Sequence, residues 1–161
     1  GQVKAIGLGV NEWQVLMDAL ELGDWDVFLL AGRYTMLEQT SLDPLLTTCL
    51  KRGTSVIAAA PFNGGALMGT GKWNYGNAPE SVIKRVGELE AFCKEHKIPI
   101  GAAALQFALT HPAVCSVLTG PRSPAEMKST LDWWSVDIPR SFWRDLVAAA
   151  LVDPRTPLPT A

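Results

Sequence analysis

The sequence has no apolar run of the roughly 18 residues that a membrane-spanning helix requires. It has no stretch of more than two consecutive Lys or Arg, and its formal net charge is −2, from 14 Lys and Arg against 16 Asp and Glu. A basic field for nucleic acid is therefore absent, and no nucleic-acid or membrane partner is expected. Histidine is scarce. His96 and His111 are the only two. Neither is placed with a Cys or Ser as a nucleophile–base pair, and no His/Cys cluster has the spacing of metal ligands. Cys49, Cys93 and Cys115 are widely separated in apolar surroundings. They read as reduced core residues of a cytoplasmic protein, without disulfide or metal. The opening GQVKAIGLGV lacks the shape of a signal peptide. No G-x-G-x-x-G follows the first apolar run; GLGVNE does not fit it. That weighs against an open doubly wound dinucleotide fold.

What is present is a βα alternation in a chain of 161 residues, 48% of them hydrophobic, enough for one domain with a sizeable core. The apolar runs Val3–Leu8, Asp26–Ala31, Ser55–Ala60 and Val114–Leu118 predict strands. Between them lie helical patterns. The first is capped by Asn11 with Gln14 in capping-box spacing and stopped by Gly23. The second opens at Ser41 and ends at Gly53. The third starts at Pro79, with Val82, Val86, Leu89 and Cys93 as its stripe, and Pro99 breaks it. The fourth is the small-residue stretch Gly101–Thr110. Ser123, Pro124 and Glu126 spell a fifth helix start, and Pro139 opens a last helix ending near Val152. Residues 63–78 read as a polar loop, and 153–161 as a proline-rich surface tail. Short apolar strands alternating with helices imply a parallel sheet covered by helices. Four βα units are too few to close an eight-stranded barrel.

Four stretches then resemble, in order, the second half of the aldo-keto reductase barrel: KAIGLGVNEW the fifth-strand segment, FLLAGRYTMLE the sixth, VIAAAPFNGGALMG the seventh with its loop, and VLTGPRSPAEMKSTL the eighth with the following helix. The wording is nearest the sugar-oxidising aldose dehydrogenases. The resemblance implies an α/β fold, half of a (β/α)8 TIM barrel over residues 1–152. It also implies an NAD(P)-dependent oxidoreductase acting on aldoses or small aldehydes and alcohols, with NAD or NADP as cofactor. The family's catalytic Asp, Tyr, Lys and His lie in the other half, so this chain supplies no catalytic residue and is expected to be inactive by itself. Its partner would be the missing N-terminal half-barrel or a second copy of itself.

The residues suggest what this half contributes. Glycines after a strand let backbone approach an anion and turn amides toward it. Phe62, Asn63, Gly64, Gly65 and Leu67 thus form a candidate pyrophosphate cradle, or an ordinary glycine turn. Gly120, Pro121, Arg122 and Ser123 run from a strand end into a helix N-terminus, which attracts phosphate. Ser123 also serves as a helix cap, and the roles are compatible. Glu126 and Thr130 fall where the family contacts ribose or adenine; Glu126 is equally a capping-box acid. An acid there favours NAD, while Arg122 favours the 2′-phosphate of NADP. Asn11 is either a cap only or a partner of the nicotinamide amide. Arg33 and Tyr34 are candidates for the substrate mouth. The pattern departs from the family at Ala31, where a carboxamide-holding Gln is usual, at Ala59, where an aromatic is frequent, and at Gly9-Val10, in place of Ser-Asn. A non-catalytic half-barrel that self-associates is the second reading.

Overall fold

The computed structural model describes residues 1–159. Four parallel strands, β1 (Gly7–Val10), β2 (Val27–Ala31), β3 (Ser55–Ala59) and β6 (Val114–Leu118), form one sheet in the order β1-β2-β3-β6. Helices fill the crossovers: α1 (Trp13–Leu22), α2 (Thr47–Arg52), then α3 (Glu80–Glu95) with α4 (Ile100–Phe107). Helices α5 (Pro124–Trp134) and α6 (Arg140–Ala148) follow β6. The expected strand-helix alternation is thus observed. The core is formed by Leu16, Leu20, Phe28, Leu30, Leu45, Leu46, Val56, Leu89, Phe107, Phe142 and Leu146, all essentially without exposure.

Several local expectations are corrected. Strand β1 is shifted toward the carboxyl end of the run at 3–8, and Val3 and Ile6 are exposed. A Cβ on Gly7 would lie 2.0 Å from the Val27 carbonyl oxygen, so only glycine allows β1 to approach β2 there. Asn11 does not cap α1: the cap position is Glu12, with no side-chain hydrogen bond. Ser41 precedes a wide turn at Leu42–Leu46 and donates its hydroxyl to the Arg33 carbonyl at 2.8 Å. Gly53 closes α2 as expected, in the left-handed region at φ 74°. The polar stretch 63–78 is ordered: a 3-10 turn, Asn63–Met68, leads into a hairpin of β4 (Lys72–Trp73) and β5 (Gly76–Asn77). Helix α6 ends at Ala148, short of Val152. The tail packs on the core through Thr156, which is buried, and Leu158, which is partly buried; residues 160 and 161 of the expected surface tail lie outside the described residues. Cys49 and Cys93 are buried, and burial pushes their thiols up to about 11 and about 12. Cys115 is exposed, contrary to expectation.

That exposure has a topological cause. Strands β1 and β6 are the two edges of the sheet, and each has one unpaired side. On β6, Cys115, Ser116 and Leu118 are exposed, and α5, which follows it, buries no residue completely. Met127, Leu131 and Trp134 of α5 are exposed too. Helix α5 is nevertheless fixed, because Trp133 lies on α4. A Cβ at Gly101 would come within 2.5 Å of the Trp133 ring. We expect Gly101→Ala to destabilise the chain by about 1–3 kcal/mol through overpacking, measured as a lowered urea midpoint.

Candidate functional site

Because all four strands are parallel, their carboxyl ends lie on one rim. The ladder continues just beyond them: Gly32 N–H donates to the Ala59 carbonyl at 2.9 Å and Ala60 N–H to the Leu118 carbonyl at 3.2 Å. The loop after β3 and the loop after β6 therefore leave neighbouring strands on the same side. A cleft of about 270 Å³ opens there. Asn11, Ala31, Gly32, Ala60, Asn63 and Gly64 line it from the strand ends, and Lys72 to Tyr75 from the hairpin. Alanine at position 31 leaves open space at the end of β2.

The glycine loop is held by Asn63. It is 4% exposed and has φ 49°, a conformation asparagine tolerates better than most residues. Its Nδ2 donates to the Gly32 carbonyl at 3.0 Å, and its Oδ1 accepts the Thr35 hydroxyl at 2.5 Å. Gly64 and Gly65 follow at φ 68° and 98°, and a Cβ on Gly65 would lie 2.7 Å from Thr70 Oγ1. The amides of Gly65 and Leu67 both donate to the Phe62 carbonyl. The Gly64 amide has no acceptor among the described residues. Of the five cradle residues expected from sequence, Asn63 and Gly64 reach the cleft. Leu67 is buried, and the Phe62 ring packs edge-on against Trp133 at 5.7 Å, so these two anchor the loop.

At the end of β6, Gly120, Arg122 and Ser123 are exposed and Pro121 is half-buried. Ser123 caps α5, its Oγ accepting the Glu126 amide at 3.2 Å. The reciprocal capping-box bond is displaced by one residue: Glu126 Oε2 accepts the Arg122 amide at 2.7 Å. Its other oxygen lies 4.0 Å from Arg122 Nε, while the Arg122 side chain is 90% exposed. A carboxylate thus already sits in the turn that sequence marked as an anion site. The Thr130 hydroxyl donates to the Glu126 carbonyl at 3.0 Å, within the helix.

The remaining candidates divide. Asn11 faces the cleft, with Nδ2 donating to the Tyr75 hydroxyl at 3.1 Å. Arg33 stands behind the cleft wall in a web of bonds to Asn11, Glu38 and Asn74. Tyr34 is not at the mouth. It is 2% exposed and packs on Phe107, its hydroxyl 2.7 Å from Thr110 Oγ1, and burial pushes its phenol above the usual range. The irregular segment after β2 turns Tyr34, Thr35 and Met36 into the core while Arg33 stays half-buried. His111 is also buried. Its Nδ1 accepts the Ala113 amide at 3.1 Å, so the ring is neutral, and burial lowers its pKa. His96 stacks on Phe92 at 4.1 Å. Among the described residues no three His, Cys, Asp or Glu side chains group as a metal site, and no helix is long and apolar enough to cross a membrane. Sequence reasoning missed the hairpin. Its signal was Trp-Asn-Tyr-Gly, with Asn74 and Tyr75 both in left-handed conformations at φ 45° and 65°.

Comparison with known proteins fits this architecture. The model of the aldo/keto reductase family matches residues 1–150. The chain is 43% identical over 156 residues to pyridoxal 4-dehydrogenase of Microbacterium luteolum, covering 94% of this chain and 46% of that protein. It is 35% identical over 157 residues to D-threo-aldose 1-dehydrogenase of a Pseudomonas species, covering 94% and 48%. Among solved structures, the holo form of an aldo-keto reductase from Bacillus halodurans superposes with a TM-score of 0.66 at 17% identity, over 91% of this chain and 49% of that one. A glycerol dehydrogenase from Gluconobacter oxydans gives 0.64 at 14% identity, over 98% and 51%. The chain spans about half the length of the curated relatives it matches. The fold is thus four of the βα units of such a barrel.

Two outcomes test this account of the site. Asn63→Ala should lower stability by about 2–4 kcal/mol, since it removes two buried hydrogen bonds and places alanine at positive φ; urea unfolding measures it. His111 binds a proton less well folded than unfolded. Its contribution is present above about pH 6.5 and is lost as pH falls below that value. Stability should therefore decline from pH 6.5 toward 5.5, and His111→Gln should flatten that decline.

Proposed function

The chain belongs to the aldo/keto reductase family, and on that footing we propose that it is the cofactor-binding half of an NAD(P)-dependent oxidoreductase. The observation that carries the reading is the placement of two loops, around Gly64 and around Arg122, on one rim of adjacent strands. A dinucleotide needs two such anchors on the same face. The residues fit the group: the Gly64 amide has no acceptor among the described residues, and the neighbouring glycine holds a conformation closed to other residues.

When bound, the nicotinamide ring carries the hydride to or from a carbonyl or carbinol carbon. The protein's own share is binding and orientation. Gly64 would donate its amide to the pyrophosphate, with Phe62, Asn63, Gly65 and Leu67 fixing that loop. Asn11, beside Ala31 at the ends of β1 and β2, would hold the nicotinamide amide. Gly120, Pro121, Arg122 and Ser123 would receive the adenosine phosphate, with Thr130 close by and Glu126 near the ribose. For that, the Glu126 carboxylate must share or release the Arg122 amide. An acid at this position opposes a 2′-phosphate, so Glu126→Gln should raise affinity for NADP relative to NAD. The substrate class is an aldose or a small aldehyde or alcohol, in line with relatives named as dehydrogenases of pyridoxal and of an aldose. The proton-handling Tyr, Lys, Asp and His would come from the N-terminal half-barrel, which closes the sheet on the free edges of β1 and β6. The chain alone would then bind cofactor without turnover.

Those same exposed edges favour one second reading: a non-catalytic half-barrel that pairs with a second copy of itself. Unpaired parallel edges flanked by exposed apolar side chains are costly in water. Size in solution, alone and after co-expression with an N-terminal half, separates the two. A 1:1 complex with the other half supports the first reading, and a homodimer that excludes it supports the second. Titration with NADH and NADPH, followed by tryptophan fluorescence, tests the shared claim of cofactor binding. We expect a saturable response that Gly65→Val abolishes while far-ultraviolet circular dichroism is unchanged. No response in wild type and in the 1:1 complex would contradict it.

A further inference from the structure

One guanidinium joins three separate segments of the rim. Arg33 Nε donates to the Asn11 carbonyl at 3.1 Å, at the end of β1. Its Nη1 pairs with Glu38 Oε2 at 3.2 Å, in the loop after β2, and donates to Asn74 Oδ1 at 3.0 Å, in the turn of the β4–β5 hairpin. The Arg33 and Glu38 side chains are only 17% and 16% exposed, so this ion pair is screened less than a surface pair. The hairpin packs on the Asn63–Met68 turn at its base, where Trp73 is half-buried, but its tip has less support. It has two residues per strand, its tip residue Tyr75 is 94% exposed, and so short a ribbon is not stable alone in water. A second, weaker strut runs in parallel, from Asn11 Nδ2 to the Tyr75 hydroxyl at 3.1 Å. Asn11, Asn74 and Tyr75, which these bonds tie together, line the cleft, with Arg33 and Glu38 behind its wall.

We propose that Arg33 is a positioning residue: from behind the cleft wall it clasps the β4–β5 hairpin and so sets how readily a bound ligand leaves. A planar guanidinium suits this, since its donors point in fixed divergent directions toward a carbonyl, a carboxylate and an amide oxygen. A lysine retains the charge but not the fork. Loosening the clasp lets the hairpin swing away without unfolding the sheet, because the loop beneath is held separately by Asn63. The proposal rests on the cofactor reading only for the identity of the ligand; the clasp exists in the free protein.

The test has two independent arms. The first is hydrogen exchange of the free chain, with no ligand present. In wild type, amides of residues 72–77 should be protected relative to Arg33→Met, which keeps the apolar stem, by about tenfold or more. Arg33→Lys should resemble Arg33→Met. Asn74→Gly keeps the left-handed turn but removes the acceptor, and should also lose protection. Asn74→Asp restores an acceptor and should retain it. Combining Arg33→Met with Asn74→Gly should add little to either alone, as expected for one shared bond. Core amides of β2 and β3 should be unchanged in all four single variants. The second arm is stopped-flow release of NADH from the 1:1 complex with an N-terminal half, in which Arg33→Met should dissociate about tenfold faster with similar association. Equal protection of residues 72–77 in wild type and Arg33→Met, or loss of protection in Asn74→Asp matching Asn74→Gly, overturns the clasp. Intact exchange behaviour without any NADH response leaves the clasp standing and removes the cofactor reading instead.

Discussion

The parallel ladder between β3 and β6 is the constraint on which the rest of the structure depends. These strands are far apart in sequence, yet Ala59 pairs with Leu118 at their ends. Parallel pairing requires a long crossover, here supplied by α3 and α4. Its consequence is directional. Both strands end at the same rim, so the loops after Ala59 and after Leu118, far apart in sequence, open side by side. An antiparallel pairing would have sent them to opposite edges, and no single extended ligand could then have touched both.

The interior supports that rim in layers. The small residues of α4, Gly101 to Ala104, are fully buried and let Trp133 of α5 settle against the helix. Trp133 in turn receives the Phe62 ring, which fixes the loop after β3. One packing chain thus links the helix behind β6 to the glycine loop after β3. The polar counterpart runs from Gly32 and Thr35 through Asn63. In both cases the loop that opens to solvent is defined by contacts beneath it, and the exposed Gly64 keeps an amide with no acceptor among the described residues.

Much of this was legible from residues alone. The four strands and most helices follow from apolar periodicity and from Gly and Pro punctuation, because those signals are local. Gly53 and Ser123 behave as the cap chemistry predicts. The misreadings share a cause: each depended on a partner distant in sequence. Asn11 has the spacing of a cap, but its amide is drawn to Tyr75. Tyr34 follows β2 in an irregular segment, and its contacts with Phe107 and Thr110, far away in sequence, decide that it points inward. Cys115 reads as core because its neighbours are apolar; it is exposed because β6 is an edge. The hairpin was hidden because two-residue strands carry almost no periodicity. Within the candidate site, the glycine loop could be read, while the side chains that brace it could not.

The division of labour is the central claim: this half of the barrel presents both anchors for a dinucleotide, and the other half handles protons. Amide chemical-shift mapping of isotopically labelled chain, within the reconstituted barrel and titrated with NADH, tests it most directly. The account predicts coincident shifts at Gly64, Gly120 and Ser123, with one binding curve for all three. Shifts confined to one loop, or different curves for the two, would contradict it.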